Sequence, residues 1–311
     1  MLYHLLFPLH TEIGLLNVVQ YITFRTAAAS LTAFVVSLAF GPAVIKWLRA
    51  LQLKQVVRDD GPATHSTKAG TPTMGGLLLL GAALIPTLLW ADLTNEYVWL
   101  AVLSTVGFGA IGFVDDYLKI ARETPQGLSA RMKLLAQGVV GLAVGLALIE
   151  LAQNNLYNTD LIFPFFKEFT PDIGWLYVPF AMLVLVMASN AVNLTDGLDG
   201  LAISVFTVAA GAFTALTYVS GHAVIAEFLL IVRFPPAGEL TIFCGSLVGA
   251  GLGFLWYNSY PADVFMGDVG SLALGGALGT VALLIKQELL LPIVGAVFLI
   301  EMISVVVQVG S

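Results

Sequence analysis

The chain has 311 residues, of which 58% are hydrophobic and 11% are charged, with a formal net charge of −7. A soluble domain of this length carries roughly twice that share of charged residues. The mean hydropathy of +0.92 points the same way. This composition excludes a single soluble globular core and favours a protein that crosses a membrane several times.

Nine apolar segments are long enough, or nearly long enough, to span a bilayer, which requires about 20 mostly apolar residues. They cover residues 24–48, 74–91, 97–114, 134–151, 173–192, 198–219, 239–257, 269–286 and 289–308. Several are rich in glycine, as in LVGAGLGF and LALGGALG, and small residues allow helices to approach closely in lipid. The sequence therefore predicts an all-α, polytopic transmembrane helical bundle that forms a single domain over residues 1–311.

Basic residues divide unevenly between the two sets of connections that alternate along this bundle. Near loops 49–73, 115–133, 193–197 and 258–268 there are nine, namely Lys46, Arg49, Lys54, Arg58, Lys68, Lys119, Arg122, Arg131 and Lys133. On the opposite side there are four, namely Arg25, Lys167, Arg233 and Lys286. Because basic residues concentrate in cytoplasmic loops, the first set of loops is predicted to face the cytoplasm, with the amino terminus outside.

Three separate connections deliver pairs of aspartates to this predicted cytoplasmic face. The six residues are Asp115, Asp116, Asp196, Asp199, Asp263 and Asp268. Each pair taken alone is equally compatible with a solvated helix boundary, a turn or a helix cap. Ionisable groups set directly against long apolar segments, however, usually mark a functional site, so the joint pattern predicts an acidic active site at one membrane surface.

The spacing within each pair gives further expectations. If helical, Asp115 and Asp116 point about 100° apart, so we expect that they do not chelate one ion side by side. Asp196 and Asp199 are three residues apart and would share a face of a helix. Magnesium usually takes one or two protein carboxylates, with phosphate oxygens and water completing its shell, so some of the six acids must serve other purposes.

Basic and hydroxyl side chains are predicted on the same face. Lys68 and Thr73 lie in the glycine-containing loop RDDGPATHSTKAGTPTMGG, and Lys133 enters the fourth span. The Walker A pattern is absent from this loop, and either lysine taken alone is compatible with an ordinary surface or snorkelling residue. Carboxylates, magnesium and lysines together suit phosphoryl transfer, in which positioning and charge neutralisation dominate.

Four segments in a fixed order carry a family resemblance: HSTKAGTPTMGG, GFVDDYLK, NAVNLTDGLDGLA and WYNSYPADVFMGDVGS. From about residue 20 onwards, the chain resembles the phospho-N-acetylmuramoyl-pentapeptide-transferases, a branch of the polyprenyl-phosphate N-acetylhexosamine-1-phosphate transferases. The resemblance implies a magnesium-dependent enzyme of peptidoglycan synthesis in the bacterial inner membrane. It implies UDP-MurNAc-pentapeptide and undecaprenyl phosphate as substrates, and lipid I and UMP as products.

The resemblance also implies roles for individual residues. Asp115 and Asp116 match a pair of aspartates that is essential in the family, and Asp268 matches a magnesium ligand, so all three are expected to be catalytic. The remaining matches are Asn193, Asp196 and Asp199 on the nucleoside side, Phe265 as an aromatic that stacks on the uracil, and Lys68, Thr73, Lys133, Asn258 and Gln308 as other polar site residues. The family continues into a loop with a histidine cluster and a tenth span, so we expect this chain to be truncated at its C-terminus.

Several alternatives stay open at the level of sequence. Attack by the lipid phosphate, with Asp115 as base, competes with a covalent route through a phosphorylated carboxylate. A GlcNAc-1-phosphate transferase is an alternative enzyme. An ion-coupled transporter is an alternative of another class. The acids of a transporter should line a path near mid-membrane, whereas here Glu301 is the only acid predicted to lie deep in a span. The lipid bilayer is an expected partner, nucleic acid is not, and a homodimer is left open.

Overall fold

The structure is a computed structural model that describes residues 1–51, 71–122, 124, 126–166 and 168–310. Within these ranges the named regular elements are helices, and the isolated bridge whose two residues are both described joins Asp160 and Asp172. The predicted all-α fold class is therefore confirmed for the described part of the chain.

Nine of the helices each overlap one of the predicted spans. We number them α1 (Ile22–Ala50), α2 (Gly76–Trp90), α3 (Glu96–Ala121), α4 (Ala130–Gln153), α5 (Tyr177–Thr195), α6 (Leu201–Gly221), α7 (Leu240–Asn258), α8 (Gly267–Leu284) and α9 (Ala296–Gly310). Seven of these regions are long and apolar enough to cross a membrane, whereas α2 and α9 are shorter apolar helices. The finding is thus a bundle with seven candidate spans, and the full count of nine stays a prediction.

Short helical pieces complete the described elements. The α-helical ones are Leu2–Leu6, Ala223–Leu229 and Leu291–Val294, and the 3-10 turns are Phe7–Thr11, Gly14–Gln20, Gly174–Leu176 and Pro235–Glu239. Two of the turns lead directly into α5 and α7 and extend those spans to Gly174–Thr195 and Pro235–Asn258.

Helix α8 lies at the centre of the bundle, and every residue from Val269 to Leu284 is buried. Its neighbours approach closely because glycines face it on several sides. A β-carbon added to Gly112 of α3 would lie 2.0 Å from the carbonyl oxygen of Asp268, and one added to Gly76 of α2 would lie 2.2 Å from the nitrogen of Gly270. The glycine content of the apolar segments therefore sets the distance between α8 and the helices that surround it.

The two ends of the bundle carry different polar contacts. At the end that includes the start of α1, Arg25 forms a bidentate ion pair with Glu239, with N–O distances of 2.7 and 2.6 Å, and Asn95 donates to the carbonyl of Pro236. The C-terminal end of α3 and the N-terminal end of α8 meet at the opposite end of the bundle. Alternate connections thus converge on opposite ends, which is the arrangement that the predicted topology requires.

Replacing Gly112 with alanine tests the close contact between α3 and α8. We expect the added methyl group to force the two helices apart and to lower the free energy of unfolding by about 1–3 kcal/mol, as overpacking does in other cores. Thermal melting of the purified protein in detergent measures the effect. Gly211→Ala in α6 is the matched control, because a β-carbon there meets no atom within 4 Å. Equal melting temperatures for the two variants would contradict the proposed contact.

Candidate active site

Three aspartates meet where the end of α3 crosses the start of α8. Asp115 and Asp116 come from the last turns of α3, and Asp268 from the first turn of α8. Each offers a carboxylate oxygen, and these oxygens all lie within 4.8 Å of one another. Asp115 and Asp116 are buried, each only 3% exposed, so their negative charges depend on neighbouring cations and hydrogen bonds.

The expectation that Asp115 and Asp116 do not chelate one ion side by side stays a prediction, although an oxygen of each lies close enough to the other and to Asp268 to share one ion. Their side chains leave α3 in different directions, but Asp268 arrives from another helix and closes the gap between them. The backbone nitrogen of Val269 donates to Asp116 at 3.2 Å, which fixes that carboxylate against the first turn of α8. A single helix considered alone does not predict this, because the third acid decides the shape of the cluster.

Lys119 lies among the three carboxylates and was not predicted as a site residue. Its Nζ is 2.6 Å from Asp115 Oδ2, 3.3 Å from Asp116 Oδ1 and 3.1 Å from Asp268 Oδ2. The sequence does carry a signal for it: in DDYLK the lysine follows the acids by four and three residues, which are the spacings of facing side chains on a helix.

Lys133 and Asn193 hold Asp268 from its other side. Lys133 Nζ lies 2.8 Å from Asp268 Oδ2 and donates to Asn193 Oδ1 at 3.2 Å. The Asn193 amide donates to Asp268 Oδ1 and to the Ser271 hydroxyl, both at 2.8 Å. Ser271 is a second residue that the sequence did not single out. Two predicted site residues from α4 and α5 therefore fix the orientation of the Asp268 carboxylate.

The segment that carries Asp196 and Asp199 is not helical, so their three-residue spacing does not place them on one helix face. Helix α5 ends at Thr195, and residues 196–200 form turns, with Gly200 at a φ of +75°. Asp199 Oδ2 accepts a hydrogen bond from the Ala262 nitrogen at 3.3 Å. Burial, reinforced by the charges of Asp268, Asp116 and Asp199, raises the pKa of Asp196 well above its usual value.

Segment 71–76 pairs through its backbone with the loop that precedes α8. The Phe265 nitrogen donates to the Pro72 carbonyl at 2.9 Å, and the Phe265 carbonyl accepts from the Gly75 nitrogen at 2.8 Å. Gly267, at a φ of +72°, allows this approach, because a β-carbon there would lie 2.5 Å from Asp116 Oδ2 and 2.9 Å from the Thr73 hydroxyl. Thr73 thus lies beside the acidic cluster, while stacking of Phe265 on a base stays a prediction.

Asn258 supports the surrounding loops. It is buried at the end of α7, where its Oδ1 accepts from the Gly200 nitrogen at 3.2 Å and its amide donates to the Val264 carbonyl at 2.9 Å. These bonds join the turn after α5 to the loop before α8. Asn258 therefore positions both site loops in this structure, and direct binding of a substrate by Asn258 stays a prediction.

Three further residues of the sequence prediction are Lys68, Gln308 and Asp263. Lys68 falls outside the described residues. Gln308 donates to the Ser304 hydroxyl, one turn earlier in α9, at 3.0 Å, and its role at the site stays a prediction. Asp263, the sixth acid of the sequence pattern, lies 3.5 Å from Arg49, with both side chains largely exposed.

The donor set of the cluster suits a hard divalent cation. The oxygens of Asp115, Asp116 and Asp268 lie close enough to share one ion, and carboxylate oxygens are the ligands that magnesium prefers. Lys119 and Lys133 beside them supply positive charge where a phosphate would otherwise be repelled. The site can therefore bring a divalent ion and phosphate oxygens together at one end of the bundle.

Comparison with known proteins agrees with this geometry. The model of glycosyl transferase family 4 matches residues 98–286, and signature 1 of phospho-N-acetylmuramoyl-pentapeptide-transferase matches residues 68–80. Proteins with the latter name from Maridesulfovibrio salexigens, Koribacter versatilis and Pelobacter propionicus are 56%, 54% and 54% identical to the chain. Each alignment covers 100% of this chain and 86% of the relative. The chain therefore belongs to the phospho-N-acetylmuramoyl-pentapeptide-transferase family, within glycosyl transferase family 4.

Proposed function

We propose that this protein transfers phospho-MurNAc-pentapeptide from UDP-MurNAc-pentapeptide to undecaprenyl phosphate, giving lipid I and UMP for peptidoglycan synthesis. The observation that carries the proposal is the meeting of Asp115, Asp116 and Asp268 with two lysines at one end of an apolar helical bundle. A water-soluble nucleotide and a membrane lipid can both reach such a site. A transporter would instead need acids along a path through the bundle.

The proposed location is the bacterial inner membrane, with the site facing the cytoplasm. The support is the distribution of basic residues, which concentrate near the connections that carry the acidic cluster. UDP-linked sugars are charged and water-soluble, so a site on this side could draw the nucleotide substrate directly from the cytoplasm.

Magnesium is the proposed cofactor, held by Asp268 with oxygens of Asp115 and Asp116 nearby. A bound magnesium ion would neutralise charge on the diphosphate and on the departing UMP. Lys133 and Asn193, which fix the Asp268 carboxylate, would keep that ligand oriented. The remaining substrate contacts are proposed to come from Lys68, Thr73, Asp196, Asp199, Asn258, Phe265 and Gln308.

In the proposed reaction, an oxygen of the lipid phosphate attacks the sugar-linked phosphorus of the nucleotide. A new P–O bond forms, and the bond from that phosphorus to the oxygen of UMP breaks. Asp115 is the proposed acceptor for a proton carried by the lipid phosphate. In the structure its Oδ1 accepts from the Leu128 nitrogen at 2.7 Å and its Oδ2 pairs with Lys119. Withdrawal of the Lys119 ammonium would therefore favour protonation of Asp115, because a neighbouring positive charge stabilises the ionised carboxylate.

An apolar cavity of about 200 Å³ between α5, α8 and α9 is the proposed place for part of the lipid chain. Its lining includes Met187, Ala191, Val192, Leu278, Phe298 and Met302. Ala191 and Val192 directly precede Asn193, which donates to Asp268. A chain bound in this cavity would therefore extend towards the acidic cluster, and its phosphate could lie beside Lys133.

Replacing Asp268 with asparagine tests the proposed chemistry. We expect the rate of phospho-MurNAc-pentapeptide transfer to fall at least about 100-fold, because the change removes a charged metal ligand. Mutating a residue that only supports such a ligand usually lowers activity about 10- to 100-fold, and loss of the ligand itself should cost more. The measurement is lipid I formation with magnesium, in parallel with a melting curve in detergent. Asp263→Asn, a change of the same kind at an exposed aspartate, should remain active. Near-normal turnover of the Asp268 variant would contradict the proposal that Asp268 is a metal ligand.

The same assay with UDP-GlcNAc in place of UDP-MurNAc-pentapeptide distinguishes the alternative transferase. Formation of a GlcNAc lipid in preference to lipid I would contradict the proposed substrate.

Exchange of labelled UMP into UDP-MurNAc-pentapeptide, measured without lipid acceptor, separates the two mechanisms. Direct attack by the lipid phosphate predicts no exchange, since the P–O bond to UMP breaks only when the acceptor is present. A covalent intermediate on a carboxylate would allow exchange without the lipid. Addition of undecaprenyl phosphate serves as the positive control for turnover.

Replacing Ala188, which lines the cavity, with phenylalanine tests the lipid site. We expect the KM for undecaprenyl phosphate to rise about 10-fold, while the KM for the nucleotide stays within a factor of two, because the larger ring would occupy part of the apolar cavity. Leu146→Phe on the exposed face of α4 is the control. An equal change in both KM values, or no change, would exclude the cavity as the lipid site.

A further inference from the structure

The ammonium of Lys119 lies where a divalent cation would have to lie. Its contacts of 2.6, 3.3 and 3.1 Å reach one oxygen each of Asp115, Asp116 and Asp268, the three acids able to share an ion. An ammonium and a metal ion cannot both lie among the same three oxygens, since the space is small and both are positive. Binding of a metal therefore requires Lys119 to move.

The neighbouring lysine is not in this position. Lys133 Nζ contacts Asp268 at 2.8 Å and Asn193 at 3.2 Å, on the side of Asp268 that faces α4 and α5. Both lysines thus carry one positive charge beside the cluster, but of the two it is Lys119 that contacts all three acids. Comparing the two lysines therefore distinguishes direct competition with a metal ion for the site from a general electrostatic repulsion of that ion.

The side chain of Lys119 has room to move. It is 30% exposed, whereas the side chains of Asp115 and Asp116 are each 4% exposed. Lysine has a long, flexible stem and a compact charge with three donors, so its ammonium can swing outwards while the buried carboxylates stay in place. An outward swing would carry the ammonium away from the buried carboxylates and towards the exposed part of its own side chain.

We infer that Lys119 is an internal counter-cation that occupies the metal site and is displaced when a divalent ion binds. The inference rests on the proposed function, because it assumes that the three acids hold such an ion. In this arrangement Lys119 keeps three like charges together before the ion arrives. Its departure leaves the three carboxylate oxygens to the ion, and the ammonium becomes available to phosphate oxygens. Lys119 is thus a positioning residue whose place changes with loading of the site.

Binding of Mn²⁺, used as a paramagnetic substitute for Mg²⁺ and followed by EPR in detergent without substrates, tests the inference. Lys119→Met should bind Mn²⁺ about 10-fold more tightly than the wild type or better, the order expected for removing a competing charge at contact distance. Lys133→Met removes the same charge beside the same cluster and should give a clearly smaller gain. Unchanged or weaker binding in the Lys119 variant, or an equal gain in both variants, would overturn the inference.

A second measurement uses the unaltered protein, so it does not depend on the folding of a variant. Addition of Mn²⁺ should increase acetylation of Lys119 by an amine-reactive reagent several-fold, relative to Lys133, when both are quantified by mass spectrometry. Equal or reduced acetylation of Lys119 in the presence of bound Mn²⁺ would contradict its displacement. Absence of Mn²⁺ binding in every protein would instead contradict the metal site of the proposed function and, with it, this inference.

Discussion

The close approach of α3 and α8 is the constraint on which the rest of the site depends. Gly112 lets the two backbones come so near that a single methyl group there would collide with the Asp268 carbonyl. This contact places the first turn of α8 directly against the last turns of α3, and so brings Asp268 to Asp115 and Asp116. A larger residue at this crossing would separate the carboxylates, whatever the identity of the other side chains.

Three carboxylates at the edge of an apolar bundle repel one another, and two lysines beside them reduce this repulsion. Asp115 and Asp116 are almost fully buried, and like charges at this distance repel strongly in a medium of low polarity. Lys119 and Lys133 offset two of the three negative charges, and Asn193, Leu128 and Val269 donate hydrogen bonds to the acids. The residual negative charge and the flexibility of one lysine suit a site that takes up a divalent ion.

The sequence predicted the elements and the identity of the acids more accurately than their arrangement. Each predicted apolar segment corresponds to a helix, but the shorter α2 and α9 leave the number of membrane crossings a prediction. Asp196 and Asp199 would share a face only on a helix, and residues 196–200 instead form turns. Asp115 and Asp116 were expected not to chelate one ion side by side, whereas their oxygens lie close enough, together with Asp268, to share one. Lys119 was counted only as a basic residue near a membrane surface, although its spacing from the two acids was a usable signal.

Composition and hydropathy determined by themselves that this chain forms a helical membrane bundle, because long apolar segments satisfy their backbone hydrogen bonds in lipid only as helices or closed barrels. The order of the motifs determined the family, and the alternation of loops determined which acids share one end. Only the tertiary structure decided that Asp268 lies between Asp115 and Asp116, that Lys133 and Asn193 orient it, and that Lys119 fills the centre. The contacts of Asp268 with Asn193, Lys133 and Lys119 join residues at least 75 positions apart on different helices, and helix packing, which local sequence spacing does not encode, sets their distances.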